Sequence, residues 1–358
     1  MKKRIISVAL VMLSMFVLLV GCGNNNGKSE SASGNSETKS SNGIKVALVV
    51  NQKFGDKGPM DDLAKGADKA ATDFGATIKK LESASAADFE EDIRAMAKDY
   101  DLIVTTFGYM TDATKLIAQE YPDTKFAAIF QNVNDSQTKI DNVWDTEFHG
   151  EQAFYINGYI AGKVTKTNVI GLIVGAEEPT PNAEGNAFMQ GVKDANPSAK
   201  VEFSFVGSYE DPAKAKEIAS AMISKNCDII QTDSGASNAG VVEACKDAGI
   251  LCSGEITDFY STYDGFFGVI GIGFGDTVYK AVEMMINDNF VGGEHGIRDL
   301  SNGGYFMDWE TYDRFANENS AHGEAFKTVL EEAKELEKKI TNGELKVEYN
   351  AQVPNWSN

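Results

Sequence analysis

The sequence predicts an α/β fold of two similar lobes, each a parallel sheet with helices on both faces, and three observations carry that prediction. Short apolar runs of strand length alternate with amphipathic helical stretches through most of the chain, which is the pattern of repeated βαβ units. The alternation is interrupted once, by a long helical stretch near 148–165, and then begins again. The foldable part, from about 44 to 358, is long enough for two domains of ordinary size.

The first segment is not part of that body. Residues 1–21 have a basic start at Lys2, Lys3 and Arg4, then an apolar run from Ile5 to Val20 and the small residue Gly21. This is the layout of a secretory signal, and the apolar run is short for a lone transmembrane helix. The "LVGC" at 19–22 resembles the bacterial lipoprotein box, which implies that Cys22 takes a lipid and becomes the mature N-terminus. Residues 23–43, "GNNNGKSESASGNSETKSSNG", contain no aromatic or branched apolar residue and cannot bury enough surface to order themselves. Residues 22–43 are therefore expected to be a lipidated flexible tether with a reach of roughly 25 Å.

From there the expected strands are 44–50, 76–81, 101–105, 125–130 and 142–145, with helices near 60–74, 87–98 and 111–121. After the helix at 148–165 come strands at 169–174, 200–206, 228–232, 250–253 and 267–272, separated by helices near 184–195, 212–225 and 238–247. A helix at 275–289, short strands near 297–300 and 304–307, and a final helix at 321–340 complete the reading. The expected boundaries are 44–166 with 274–300 for the first lobe and 167–273 with 304–320 for the second, leaving 321–358 as a C-terminal helix and tail. One ligand cleft between two such lobes is the natural consequence. Ligands of open α/β sheets gather at the carboxyl ends of the strands, so the loops to search are 51–59, 106–112, 131–135, 175–186, 207–211, 233–238 and 254–260.

Composition removes several functional classes. The formal charge of −20 would be repelled by phosphate backbones, so nucleic acid is not an expected partner. Catalytic patterns fail on spacing. "GYIAGKV" at 158–164 has only three residues between its glycines and lies in a helical stretch, unlike a phosphate loop. "GASNA" at 235–239 lacks the last glycine of a nucleophile elbow, and "GIGFG" at 271–275 lacks the third glycine of a dinucleotide fingerprint. The three histidines, His149, His295 and His322, form no metal-ligand pattern with cysteines. No enzyme activity, cofactor or metal is expected. Cys227 and Cys252 read as small buried core residues, and a Cys245–Cys252 bridge is an open alternative.

Six blocks in order resemble the basic membrane protein (BMP) family, solute-binding lipoproteins of ABC transporters that include nucleoside-binding PnrA/TmpC and Med. They are "GDKGPMDDLAKGA" at 55–67, "FGYMTDATKLIAQEYPDTKFA" at 107–127, "HGEQAFYINGYIAGKV" at 149–164, "GLIVGAEEPTPNAEGNAFMQGVKDANP" at 171–197, "VGSYEDPAKAKEIA" at 206–219 and "DSGASNAGVVEAC" at 233–245. The resemblance implies two Rossmann-like lobes in a type I periplasmic-binding-protein, or Venus-flytrap, fold. It also implies a lipid-anchored protein on the outer face of the cell membrane, expected to be a monomer, that hands a nucleoside-like solute to an ABC permease.

The same resemblance supplies site residues and marks departures. The family's nucleoside binders read Asp-Lys-Ser-Phe-Asn in the first loop, with the aromatic stacking on the purine. Here Asp56 and Lys57 match, but Gly58, Pro59 and Met60 follow, leaving Phe54 or Met60 to substitute. The second stacking aromatic falls on Tyr209, within "GSYED". An acid expected after the fourth strand is replaced by Phe130, with Gln131 beside it, and the ribose-binding acid matches Asp258 in "GEITDFY". A lysine expected near 271–275 is missing. Tyr109, Ser234 and Asn238 complete the candidates from strand-end loops, where helix capping is the competing role. These departures leave two alternatives open: a ribose-like sugar or sugar-derived signal as ligand, or a lipid-anchored sensor subunit of a signalling system.

Overall fold

The computed structural model describes residues 43–56, 58–83 and 85–355. The signal segment, the tether with Cys22, and Lys57 lie outside the described residues. In the first half, β1 (Lys45–Val50), β2 (Thr77–Glu82), β3 (Leu102–Thr106), β4 (Lys125–Ile129) and β5 (Val143–Phe148) alternate with α1 (Pro59–Phe74), α2 (Phe89–Ala97) and α3 (Thr111–Glu120). After α4 (Glu151–Val164), β6 (Val169–Val174), β7 (Lys200–Phe205), β8 (Ile229–Asp233), β9 (Leu251–Glu255) and β10 (Phe266–Ile272) alternate with α5 (Pro179–Ala195), α6 (Pro212–Ser224) and α7 (Asn238–Ala248). The chain ends with α8 (Phe274–Ile286), β11 (Glu294–Arg298), β12 (Tyr305–Met307), α9 (Trp309–Glu318) and α10 (Gly323–Thr341).

The strands form two six-stranded sheets, ordered β11-β5-β4-β3-β1-β2 and β12-β10-β9-β8-β6-β7. The first is wholly parallel, and in the second only β12 runs antiparallel, to β10. Central strands such as "LIVTT" in β3 and "VIGLIV" in β6 are buried throughout, as a sheet covered on both faces requires. The edge strand β2, "TIKKLE", exposes Lys79 and Lys80, which discourages pairing with another chain.

Local sequence explains most boundaries. In α1, Pro59 occupies the first turn, where its missing N–H is no loss, and Gly75 closes the helix in the left-handed region at φ 69°. Met60, Leu63, Ala67 and Ala70 make its buried stripe. Against α1 lies α8, so close that a Cβ on Gly66 would stand 1.9 Å from the Gly275 carbonyl oxygen. Three elements depart from expectation. Helix α5 begins at Pro179 instead of near 184, because Pro179 and Pro181, which read as breakers, are tolerated in a first helical turn. Strand β11 spans 294–298 instead of 297–300, and α9 was not expected, since "WETYDRFANE" is mostly polar and buries only one stripe around Tyr312 and Phe315.

Three segments cross between the sheets: β5 to α4, β10 to α8, and β11 to β12. Arg298, at the third crossing, is buried and donates to Asp276 at 2.7 Å and to the Asn302 carbonyl at 3.0 Å. Helix α4 packs along α5 and α10. Its buried Asn157 donates to Gln231 Oε1 at 2.7 Å and Ser253 Oγ at 3.0 Å, and accepts from the Tyr312 hydroxyl at 3.0 Å. Cys227, Cys245 and Cys252 are buried free thiols, so the pair left open as a bridge is two neighbouring thiols. Burial pushes the Cys252 thiol well above its ordinary value and that of Cys227 up to about 12.

Candidate functional site

The order 2-1-3 in the first sheet and 7-6-8 in the second places a topological switch point beside β1 and beside β6, where open α/β sheets bind ligands. Loops following β1, β3, β6, β8 and β9 all line one cavity of about 1110 Å³, a volume that includes its open mouth.

One wall is aromatic. Phe107 meets Phe130 edge-on at 5.7 Å between ring centroids and Phe274 at 5.3 Å, with Phe148 behind at 4.8 Å from Phe274. Phe107, Phe130 and Ile256 stand at the ends of β3, β4 and β9 with φ of 62°, 56° and 58°. Bulky side chains rarely adopt that region, and all three line the cavity. The strain is thus concentrated where strands turn into the site, as in other ligand clamps. From the second lobe comes Tyr209, whose ring lies over Gly175 so closely that a Cβ there would stand 2.2 Å from its Cε1.

The floor is acidic. Glu184 of α5, Asp233 at the end of β8 and Glu255 at the end of β9 are nearly inaccessible, at 2%, 4% and 7% exposure. Asp233 is within hydrogen-bonding reach of Glu184 on one side and Glu255 on the other. Burial raises all three carboxyls above their ordinary range, Glu184 and Glu255 far above it, and mutual repulsion through Asp233 adds to the rise in those two. The Tyr305 hydroxyl donates to Glu184 Oε1 at 2.7 Å, and burial holds that phenol neutral well beyond its usual value. Glu178, just before α5, is raised by burial and by Asp233. Two carboxyls share a hydrogen bond only if one keeps its proton, so the row is a reservoir of donors and acceptors.

A family model described as ABC transporter substrate-binding protein PnrA-like matches residues 44–351. The chain belongs to this family. A CD4+ T-cell-stimulating antigen of Listeria innocua is 29% identical over 266 residues, 69% of each chain. The ABC transporter nucleoside-binding protein BmpA of Lactococcus lactis is 28% identical over 252 residues, again 69% of each. Among solved structures, an ABC transporter solute-binding protein from Aeropyrum pernix K1 superposes with a TM-score of 0.70 at 22% identity, over 85% of this chain and 92% of that one. A transcriptional activator of the comK gene from Bacillus halodurans gives 0.71 at 18%, over 84% and 99%. The fold is that of a two-lobed type I periplasmic-binding protein. As a PnrA-like substrate-binding protein, the chain is the extracytoplasmic, non-catalytic component of an ABC transporter that captures a small solute for a cognate permease.

Within this substrate-binding protein, five of the residues singled out from sequence line the cavity: Asp56, Tyr109, Phe130, Tyr209 and Asn238. Asp56 also caps α1, with Oδ1 accepting from the Gly58 and Asp61 amides and Oδ2 from Met60 at 3.0 Å. Tyr109 is 67% exposed at the mouth. Ser234 is fully buried behind the wall and orients Asn238, whose Oδ1 accepts from the Ser234 amide at 2.8 Å and from Thr232 Oγ1 at 2.7 Å.

The other four are elsewhere. Met60 is buried in the first lobe's core, on the stripe of α1 that faces the sheet. Phe54 packs against the same core and donates its amide to Glu82 Oε1 at 2.9 Å. Gln131 is buried and donates to Thr105 Oγ1 at 2.9 Å. Asp258 pairs with Arg314 at 2.8 Å, tying its loop to α9. The residues sequence reasoning overlooked are the carboxyl row, with Phe107, Phe274 and Tyr305. A usable signal existed for two of them, because Asp233 and Glu255 are the last residues of parallel strands.

Proposed function

We propose that the solute is a purine nucleoside or nucleobase, held between Tyr209 and the Phe107–Phe130 wall, with its hydroxyl and amino groups donating to the carboxyl row. The observation that carries this reading is the pairing of aromatic faces with buried acceptors in one cavity. A flat ring gains area and dispersion at low entropic cost against such walls, and buried acceptors discriminate sharply in favour of a ligand that satisfies them. The name of the Lactococcus relative, a nucleoside-binding protein, agrees with it. Capture would close the two lobes about the three crossings, driven by contacts that exist only in the closed form.

The rest of the reading is a monomer anchored through lipid on Cys22, with the end of the first lobe's leading segment, expected at 166, drawn back to Gly150 because α4 packs on α5. A thermal-shift screen of the mature protein against nucleosides, nucleobases and pentoses tests the ligand. At a hundredfold excess over its dissociation constant, a ligand stabilises by about 2.7 kcal/mol. Shifts with guanosine, inosine or adenosine support the proposal, and shifts with pentoses alone would replace it by a sugar.

A further inference from the structure

The charge balance of the cavity goes beyond the nucleoside reading. Among the described lining residues there is no Lys, Arg or His, and six are acidic. Two of those acids are accounted for: Asp56 by the amides of α1, and Glu210 by exposure to solvent at the rim. Glu178, Glu184, Asp233 and Glu255 remain, and no Lys, Arg or His among the described lining residues neutralises them. No amide, hydroxyl or basic group among the described residues donates to the buried Oδ2 of Asp233. Burying carboxylates without a counter-charge is costly, so this row either keeps its protons or receives positive charge from the solute.

The surrounding surface favours the second option. Rings of Phe107, Tyr109, Phe130, Tyr209, Phe274 and Tyr305 line the same space, and aromatic faces attract cations most strongly where water is excluded. The carboxyls are not arranged to hold a metal ion, since no described group of three His, Cys, Asp or Glu side chains could do so. We propose that the solute is an organic cation, a flat ring bearing a positively charged nitrogen, seated among these aromatics with its charge over Glu184, Asp233 and Glu255. The inference rests on the reading of this cavity as the solute site and does not need the solute to be a nucleoside.

The test compares ligands that differ in charge. Calorimetric titrations of the mature protein at pH 6.5 would use adenosine, 1-methyladenosine, which is the same nucleoside carrying a positive charge at that pH, and thiamine, a permanent cation that is not a nucleoside. The expected result is that 1-methyladenosine binds at least tenfold tighter than adenosine, and that the ratio falls towards one in Asp233→Asn. Thiamine binding without either nucleoside would support the charge inference and remove the nucleoside reading. Adenosine binding as tightly as 1-methyladenosine, or failure of both cations to bind, overturns the inference. In either case adenosine binding would keep the nucleoside reading standing, so the two fail separately.

Discussion

Replacing Gly175 by alanine places a methyl group where the Tyr209 ring now lies. The new Cβ would stand 2.2 Å from Cε1, 2.3 Å from Cδ1 and 2.8 Å from Cζ, whereas ordinary contact begins at 3.4 Å. The ring must therefore retreat by more than an ångström. A Cβ on Gly235 would likewise stand 3.2 Å from the Tyr209 Cβ, so the base of the side chain is closely approached as well, and the ring that must shift is one that lines the cavity. If it stayed, overpacking would cost about 1–3 kcal/mol of stability, and moving exchanges that cost for a displaced wall. Loss of a stacked aromatic face is worth about 1–3 kcal/mol, so Gly175→Ala should weaken the solute by roughly tenfold or more and approach the effect of Tyr209→Ala. Titration calorimetry of both variants, alongside urea unfolding of the ligand-free proteins, separates binding from folding. Native affinity in a Gly175→Ala protein of native stability would show that the Tyr209 ring does not form part of the binding surface.

Other consequences follow from buried polar groups. Glu184, Asp233 and Glu255 have carboxyls raised in the folded protein, so the folded state holds protons that the unfolded chain releases, and the stability these groups contribute falls as pH rises above about 4. The slope is up to ~1.4 kcal/mol per pH unit for each such group. Glu255→Gln should flatten it, and urea titrations at pH 5 and pH 8 that run parallel to wild type would contradict the assignment. Asn157→Ala leaves the fully buried Tyr312 hydroxyl without its acceptor and should cost about 1–3 kcal/mol in urea unfolding, whereas a change under half a kcal/mol would mean that the network is dispensable. Cys227, Cys245 and Cys252, buried and unbridged, should resist Ellman's reagent in the folded protein and react together in guanidinium. Fast reaction of any of them without denaturant would count against their burial.

How far the sequence was legible depends on what each signal encodes. Strand and helix periodicity reports burial, and it located all twelve strands and nine of the ten helices of the described residues. It failed where polarity masked a narrow apolar stripe, as in α9. The resemblance carried loop residues over by motif, and those whose position a backbone feature fixes stand in the cavity wall. Tyr209 is held by Gly175 and Gly235, and Asp56 by the cap it gives α1. Met60 and Asp258 stand outside the cavity lining because one helical turn or one loop residue decides whether a side chain faces the cavity or its supports, and a motif match does not resolve that.

The carboxyl row was missed for a different reason, which also explains its chemistry. None of its three members is adjacent to another in sequence: Glu184 comes from the second turn of α5, Asp233 from β8 and Glu255 from β9. Parallel pairing brings the last two together, since Val174 of β6 pairs with Asp233 and Gln231 of β8 with Ser253, which carries Asp233 and Glu255 to the same end of neighbouring strands. The start of α5 at Pro179 does the rest, by placing Glu184 in the second turn of a helix that opens beside the cavity instead of at the helix's first residue. A helix N-terminus favours negative charge, but burial beside two other carboxyls outweighs it, and Glu184 rises well above its ordinary range. An arrangement that costs stability at neutral pH is one that a positively charged solute, as proposed, would offset.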